Sequence, residues 1–266
     1  MDTAPLVTKF ARLGARFRVV REANPWTAFR FTLDVRPARR GESFELTLGS
    51  KFPGEFAVLD VQPAERHLLL MVREGGAKAK YLCGHDERHW FVAGIPETAA
   101  VGTVRQAKES LKPPAVRDAE SRLHLPTAQR DRRKNAAFLR QGEWFFLPAP
   151  GVVIDARLVL THEPLVRATG RGKPHVLEFC YRVGGETVYV GPGHPAGVTE
   201  AVYRQLLTRP RASKSAWRAM RRNPALYARG HVRHADHATI TLPGWHQVVM
   251  NTEGESRAMR NVAFLD

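Results

Sequence analysis

Two cysteines in 266 residues leave no disulfide framework. Cys83 and Cys180 are expected as buried, reduced thiols; Cys83 draws notice as a nucleophile only because His85 follows two residues on. Long apolar runs are missing too. The runs are short, such as those at 68–72 and 158–160, and fall far below the roughly 20 residues that cross a bilayer, so no membrane partner is expected. The N-terminus has an early acid and no apolar leader core, which makes the cytoplasm the expected compartment. There is no solenoid repeat, Walker or dinucleotide loop, or Gly-x-Ser-x-Gly elbow. Zinc-finger spacing, an RRM aromatic box and a KH loop are absent as well.

Acidic residues are scarce relative to basic ones: 26 against 41, a net charge of +15. Arginine outnumbers lysine 32 to 9, a bias that GC-rich coding explains, but such coding does not explain the excess of cations over anions. A field of this size attracts polyanions, and nucleic acid, RNA or DNA, is the expected partner. No acid occurs from Ala201 to Ala235, a stretch holding Arg204, Arg209, Arg211, Lys214, Arg218, Arg221, Arg222, Arg229 and Arg233. Tyr203, Trp217 and Tyr227 are interleaved with them. A helix over 213–222 would line up Lys214, Arg218, Arg221 and Arg222 on one face, and guanidinium forks match phosphate. Lys9–Arg21 and Arg130–Lys134 are smaller basic segments.

The patterning predicts an α+β fold, mostly antiparallel sheet in barrel-like lobes with a few helices. Residues 1–114 read as a β-rich domain, 115–137 as a charged, exposed and partly helical linker, and 138–266 as a second β-rich domain with a basic helical insertion at about 195–230. Strands are expected at 29–35, 42–48, 56–61, 67–73, 78–83, 89–93, 144–147, 157–160, 175–183 and 187–190. Helices are expected at 101–111, 199–207 and 213–222, with Gly184-Gly185 as a tight turn. A last hairpin, 238–242 with 245–251, is expected to turn at Pro243-Gly244.

Three places carry the candidate chemistry, two histidine-rich turns and the segment 140–148. In residues 83–91 a loop at 86–88 would make His85 and His89 cross-strand neighbours, beside Asp86 and Glu87. In residues 230–246, His234, Asp236, His237 and His246 are candidate catalytic residues. Strict strand geometry puts His234 and Asp236 on one face and His237 on the other, so a bulge or turn is needed to gather them. His85, His89, His234 and His237 are candidate ligands for a divalent metal. His175, entering a strand, reads as structural.

Arg140-Gln141-Gly142-Glu143, followed by an apolar strand and Pro148, resembles the opening of a group of short bacterial proteins without an assigned activity. Those begin Arg-Gln-Gly-Asp and carry a Gly-His-Ala-His element and a later His-Glu-Glu-His-Ala-Pro-Ile segment. Gly172-Lys173-Pro174-His175 would stand for the middle element and residues 234–240 for the last. The resemblance covers about 138–253 and departs from the group at the middle element, where one histidine is missing, and in the basic insertion. It implies a small barrel-like lobe that brings His175 to the His234/His237 hairpin.

The functional expectation is a basic nucleic-acid-binding protein that contacts chiefly the phosphate backbone. The alternatives are a metal-dependent nuclease or phosphodiesterase using the His/Asp cluster, and a structural subunit of a nucleoprotein or phage-like assembly.

Overall fold

The computed structural model describes residues 3–21, 30–39, 41–49, 52–167, 173–208 and 216–263. Helix α1 (Ala4–Ala11) has Pro5 in its first turn, where a missing N–H leaves no helical bond unmade. Leu6 and Phe10, four residues apart, share its buried face. They pack on β1 (Phe17–Arg21), β2 (Phe31–Ala38) and β3 (Gly41–Leu48), with Phe31, Leu33, Phe44 and Leu46 at the centre. β4 (Glu55–Gln62), β5 (His67–Glu74), β6 (Ala77–Asp86) and β7 (His89–Ile95) form an antiparallel meander. β5 is buried on both faces. Leu68 and Leu70 join the first core, while Leu69 meets Leu82, Val104 and Ala107 in a second. Helix α2 (Val104–Ser110) closes that second core and begins with a capping box between Thr103 and Gln106.

Residues 115–137, expected to be exposed, carry helices α3 (Pro114–Arg122) and α4 (Thr127–Arg130). Val116 and Glu120 on α3 are fully buried. Lys112 Nζ lies 2.9 Å from Glu120 Oε1, so each charge is tolerated inside by the other.

The chain continues through β8 (Leu139–Gln141), β9 (Trp144–Pro148), β10 (Leu160–Leu165) and β11 (His175–Val183). β12 (Glu186–Gly191), β13 (His194–Thr199), helix α5 (Glu200–Leu207) and β14 (Arg218–Arg222) follow. β15 (Ala225–Arg233), β16 (Ile240–Met250) and the short β17 (Val262–Ala263) complete it, β17 pairing with β2 at the far end of the sequence. Six strands form one antiparallel sheet in the order β10-β11-β15-β16-β9-β8. Its inner face buries Trp144, Phe146, Leu177, Cys180, Ala228, Val232 and Val248.

The α+β class and most of the expected strands are as the pattern indicates; five expectations differ. The six-stranded sheet stays open and no barrel closes. Residues 218–222 form strand β14, not a helix, and residues 209–215, with Arg209, Arg211 and Lys214, lie outside the described residues. Pairing explains that choice. β14 lies antiparallel to the β-branched Val188-Tyr189-Val190 run, and Arg222 sits directly opposite Glu186. A helix would have stacked like charges four residues apart. Gly184-Gly185 does not reverse the chain. Pairing runs from Val183↔Ala225 on to Glu186↔Arg222, so the glycines kink a long two-stranded arm. β16 is one strand rather than a hairpin. Pro243-Gly244 falls where its pairing with β15 shifts between Ala228 and Gly230, a bulge that accepts a residue without an N–H. Residues 156–158 form a 3-10 turn, and strand begins at Leu160.

Candidate functional site

A cleft of about 700 Å³ opens between the meander and the six-stranded sheet. The β6–β7 hairpin supplies one wall. The β8–β9 turn, the start of β11 and the loop 234–239 supply the other. Six of the chain's 11 histidines line it: His67, His85, His89, His175, His234 and His237. The two histidine-rich turns, 149 residues apart at His85 and His234 in sequence, therefore share one space. Eight cationic and seven carboxylate side chains line the same cleft, so its charge is nearly balanced.

Local geometry fixes most of these groups. Gly142, at φ +57°, takes the left-handed first position of the two-residue turn joining β8 to β9. That turn places Gln141 and Glu143 on either side of His175. The Gln141 amide nitrogen donates to Ala238 O at 2.6 Å and to Val232 O at 3.3 Å, which leaves its oxygen as the acceptor. His175 Nδ1, 2.9 Å from that oxygen, is thus the protonated nitrogen, and Nε2 carries the lone pair. Glu143 Oε2 stands 3.8 Å from His175 Nε2. Arg167 spans Glu143 at 2.6 Å and the buried Glu253 at 3.1 Å. Burial alone would raise the Glu143 carboxyl; the facing His175 ring and the Arg167 guanidinium outweigh it and hold it well below its ordinary range.

His234 is committed at both nitrogens. Nε2 donates to Lys173 O, and Nδ1 accepts from the Asp236 N–H, each at 3.1 Å. Its ring stacks on His175 at 4.3 Å and lies 4.7 Å from His237. Asp236 takes Lys173 Nζ at 2.9 Å. His237 Nδ1 faces Glu87 Oε2 at 3.4 Å, and the same oxygen accepts the Ala238 N–H at 3.0 Å. Glu87 also meets Arg133 and holds a left-handed backbone (φ 47°), strain stored at the turn whose side chain bridges the two walls. Burial, reinforced by the His175 ring, pushes His237 down to about 4, and burial lowers His175 and His234 as well.

Of the expected catalytic residues, His234, Asp236 and His237 lie together in the loop between β15 and β16. His246 does not join them. It is 4 % exposed on β16, opposite Ala228, with Nδ1 2.8 Å from Gly244 O, and it does not line the cleft. The β6–β7 turn is one residue shorter than expected, so His85 pairs with Trp90 and His89 with Asp86. His85 packs edge-on against Trp90 at 4.9 Å, and His89 Nδ1 meets Glu42 Oε1 at 2.8 Å. Among the described residues, no three His, Cys, Asp or Glu side chains are grouped to hold a metal ion, His85, His89, His234 and His237 included. Burial pushes the Cys83 thiol up, as suits a core residue. His175 meets His234 and His237, as the resemblance implied, whereas Arg167 and Glu253 beside Gln141 and Glu143 were not anticipated. Their one sequence signal is a Gln-Gly-Glu turn that sets polar side chains at the ends of an apolar strand.

The basic stretch divides. Arg204 pairs with Glu200 on α5, and Arg222 with Glu186 across the arm. Arg218 and Arg221 are exposed on β14. Arg229 and Arg233 project from the outer face of the six-stranded sheet, where cross-strand register also sets Phe179, Tyr181 and Tyr227. There the Arg229 guanidinium sits 5.1 Å from the Phe179 ring and 5.2 Å from the Trp245 ring. Residues 184–224, the arm, hold seven cations and two acids, although Arg209, Arg211 and Lys214 fall outside the described residues.

Comparison with known protein families, curated proteins and solved structures gives no match. The described residues contain no helix long and apolar enough to cross a membrane.

Proposed function

We propose that this chain binds single-stranded nucleic acid, holding its phosphates with arginine and stacking its bases on the outer face of the six-stranded sheet. The observation that carries the reading is the placement of Arg229 between Phe179 and Trp245 on a face that also offers Tyr227 and exposed Arg233. An aromatic-lined sheet face with planar cations accepts any base by its π-face and any phosphate by charge. The near-neutral cleft supports the same reading, because among the described residues it leaves nearly all of the positive excess outside its lining. Arg218 and Arg221 on the arm extend the track.

The test is fluorescence anisotropy of a labelled single-stranded 12-mer between 50 and 200 mM salt. Three to four phosphate contacts give a log–log slope of about −2 to −3, so affinity falls about 20- to 50-fold over that range. Absence of binding at low salt, or affinity indifferent to salt, would overturn the proposal.

A further inference from the structure

His175 and His237 bring their Nε2 atoms to the same side of Gly142, 3.4 and 3.1 Å from the point a Cβ there would occupy. The rings are near-parallel, 16° apart with centroids separated by 5.8 Å. His175 Nδ1 is hydrogen-bonded to Gln141 Oε1, whereas His237 Nδ1 faces Glu87 Oε2 at 3.4 Å without a hydrogen bond. Two imidazoles held in this way present two proton-transfer atoms to one small space.

The rest of the cleft narrows the chemistry. No Ser, Thr, Cys or Tyr is among the described residues that line it, so none of these offers a hydroxyl or thiol nucleophile. A reaction suited to this inventory carries its own nucleophile and needs only a base and an acid. The outward row Arg229, His231 and Arg233 on β15 runs directly into His234 and the loop that lines the cleft. A strand held on the sheet face is thereby led to the histidine pair.

We infer that the cleft cleaves RNA by transesterification, with His237 as base, His175 as acid and the 2′-hydroxyl of the bound strand as nucleophile; the inference rests on the nucleic-acid reading for its substrate. His237 Nε2 takes the 2′-hydroxyl proton, O2′ bonds to the adjacent phosphorus, and the P–O5′ bond breaks. The departing O5′ takes the Nε2 proton of the protonated His175, whose cationic form Glu143 stabilises from 3.8 Å. One product ends in a 2′,3′-cyclic phosphate and the other in a 5′-hydroxyl. Proton transfer from the base back to the acid through solvent restores the pair, and nothing is oxidised or reduced. The 2′-hydroxyl is already tethered beside the phosphorus, so the protein need not supply a positioned second reactant.

The experiment incubates the full-length protein with a labelled single-stranded RNA 12-mer and with its all-deoxy counterpart, following binding by anisotropy and cleavage by gel and product mass. RNA is expected to be bound and cut to cyclic-phosphate ends, and the deoxy strand to be bound and left intact. His237→Asn is expected to bind RNA as the parent does and to cut about 10²- to 10⁴-fold more slowly. His175 is buried, so Glu87→Gln, which alters the group facing His237 without touching that core, serves as the second variant and is expected to slow cutting at unchanged affinity. RNA that binds and stays intact overturns this inference alone. Cleavage of the deoxy strand, cleavage abolished by EDTA, or unchanged rates in both variants also overturn it. RNA that does not bind at low salt overturns the nucleic-acid reading, and this inference with it.

Discussion

Replacing Trp245 or Arg229 separates the two contributions that the sheet face is proposed to make. Trp245 lies in the β16 bulge, and its carbonyl accepts the Ala149 N–H at 2.9 Å, so the strand is held by backbone that Trp245→Ala leaves in place. The indole supplies one stacking surface, worth about 1–3 kcal/mol per base. At about 1.4 kcal/mol per tenfold, Trp245→Ala weakens single-stranded binding by about 5- to 140-fold. It removes no charge, so the salt slope is unchanged. Arg229→Ala removes one cation and should reduce the magnitude of the log–log slope by about 0.7, in addition to lowering affinity. Arg229→Lys keeps the charge but loses the planar group stacked at 5.1 and 5.2 Å. It should therefore retain the parental slope with reduced affinity. The assay is anisotropy at four or more salt concentrations for the parent and the three variants, with circular dichroism confirming the fold. If Trp245→Ala shifts the slope but not the affinity, or if Arg229→Ala alters neither, the sheet face is not the contact surface.

Lys112→Met leaves Glu120, fully buried, without its partner, and should cost about 3–5 kcal/mol in urea unfolding; pairing it with Glu120→Leu should recover most of that loss. Equal stability of the single and double variants would show that the pair is not coupled. Burial, with Lys108 nearby, lowers His67 from 6.5 to about 4. The unfolded chain then binds the proton more readily than the folded one, so this contribution to stability is complete above pH 6.5 and is lost as pH falls toward 4. The urea midpoint should decline over that window in the parent and decline less in His67→Gln; parallel curves would refute the assignment.

Much of the first half was legible because strand-forming runs bounded by turn residues mark it, alternating in β2 and β3 and continuously apolar in β5, which is buried on both faces. β2, β3 and the four-stranded meander stand close to where the pattern puts them. The helix expected at 213–222 failed because the signal used was charge spacing, whereas the chain obeyed cross-strand pairing with Val188–Val190. Helix α3 lies in a segment read as partly helical, but its burial was hidden for a related reason. Its buried contacts include an ion pair, and Glu120 looks in sequence like any exposed acid. At the site, the composition of the His-rich turns marked His234, Asp236 and His237, but nothing local shows that β11 delivers His175 to the same place. That meeting depends on register across β11, β15 and β16, a long-range property. His246 was grouped with the cluster through nearness in sequence, and the bulge at Pro243-Gly244 sends it to the core instead.

The distribution of charge joins the two proposals. Among the described residues the cleft lining carries a single excess positive charge, eight cations against seven carboxylates, and the rest of their excess lies outside it. Arg133 is shared with Asp86 and Glu87, Arg167 with Glu143 and Glu253, and Lys173 with Asp236. Coding bias toward arginine predicts no such pairing inside and excess outside. A strongly positive cleft would hold phosphate tightly but would also drive its imidazoles further toward neutrality, removing the protonated partner that an acid–base pair requires. Keeping the interior balanced lets Glu143 oppose the burial that lowers His175, while burial and the His175 ring hold His237 down. Adding a cation to the wall, for example by Glu143→Lys, should then abolish cleavage while leaving strand binding at the sheet face intact; simultaneous loss of both would mean that one surface serves both roles.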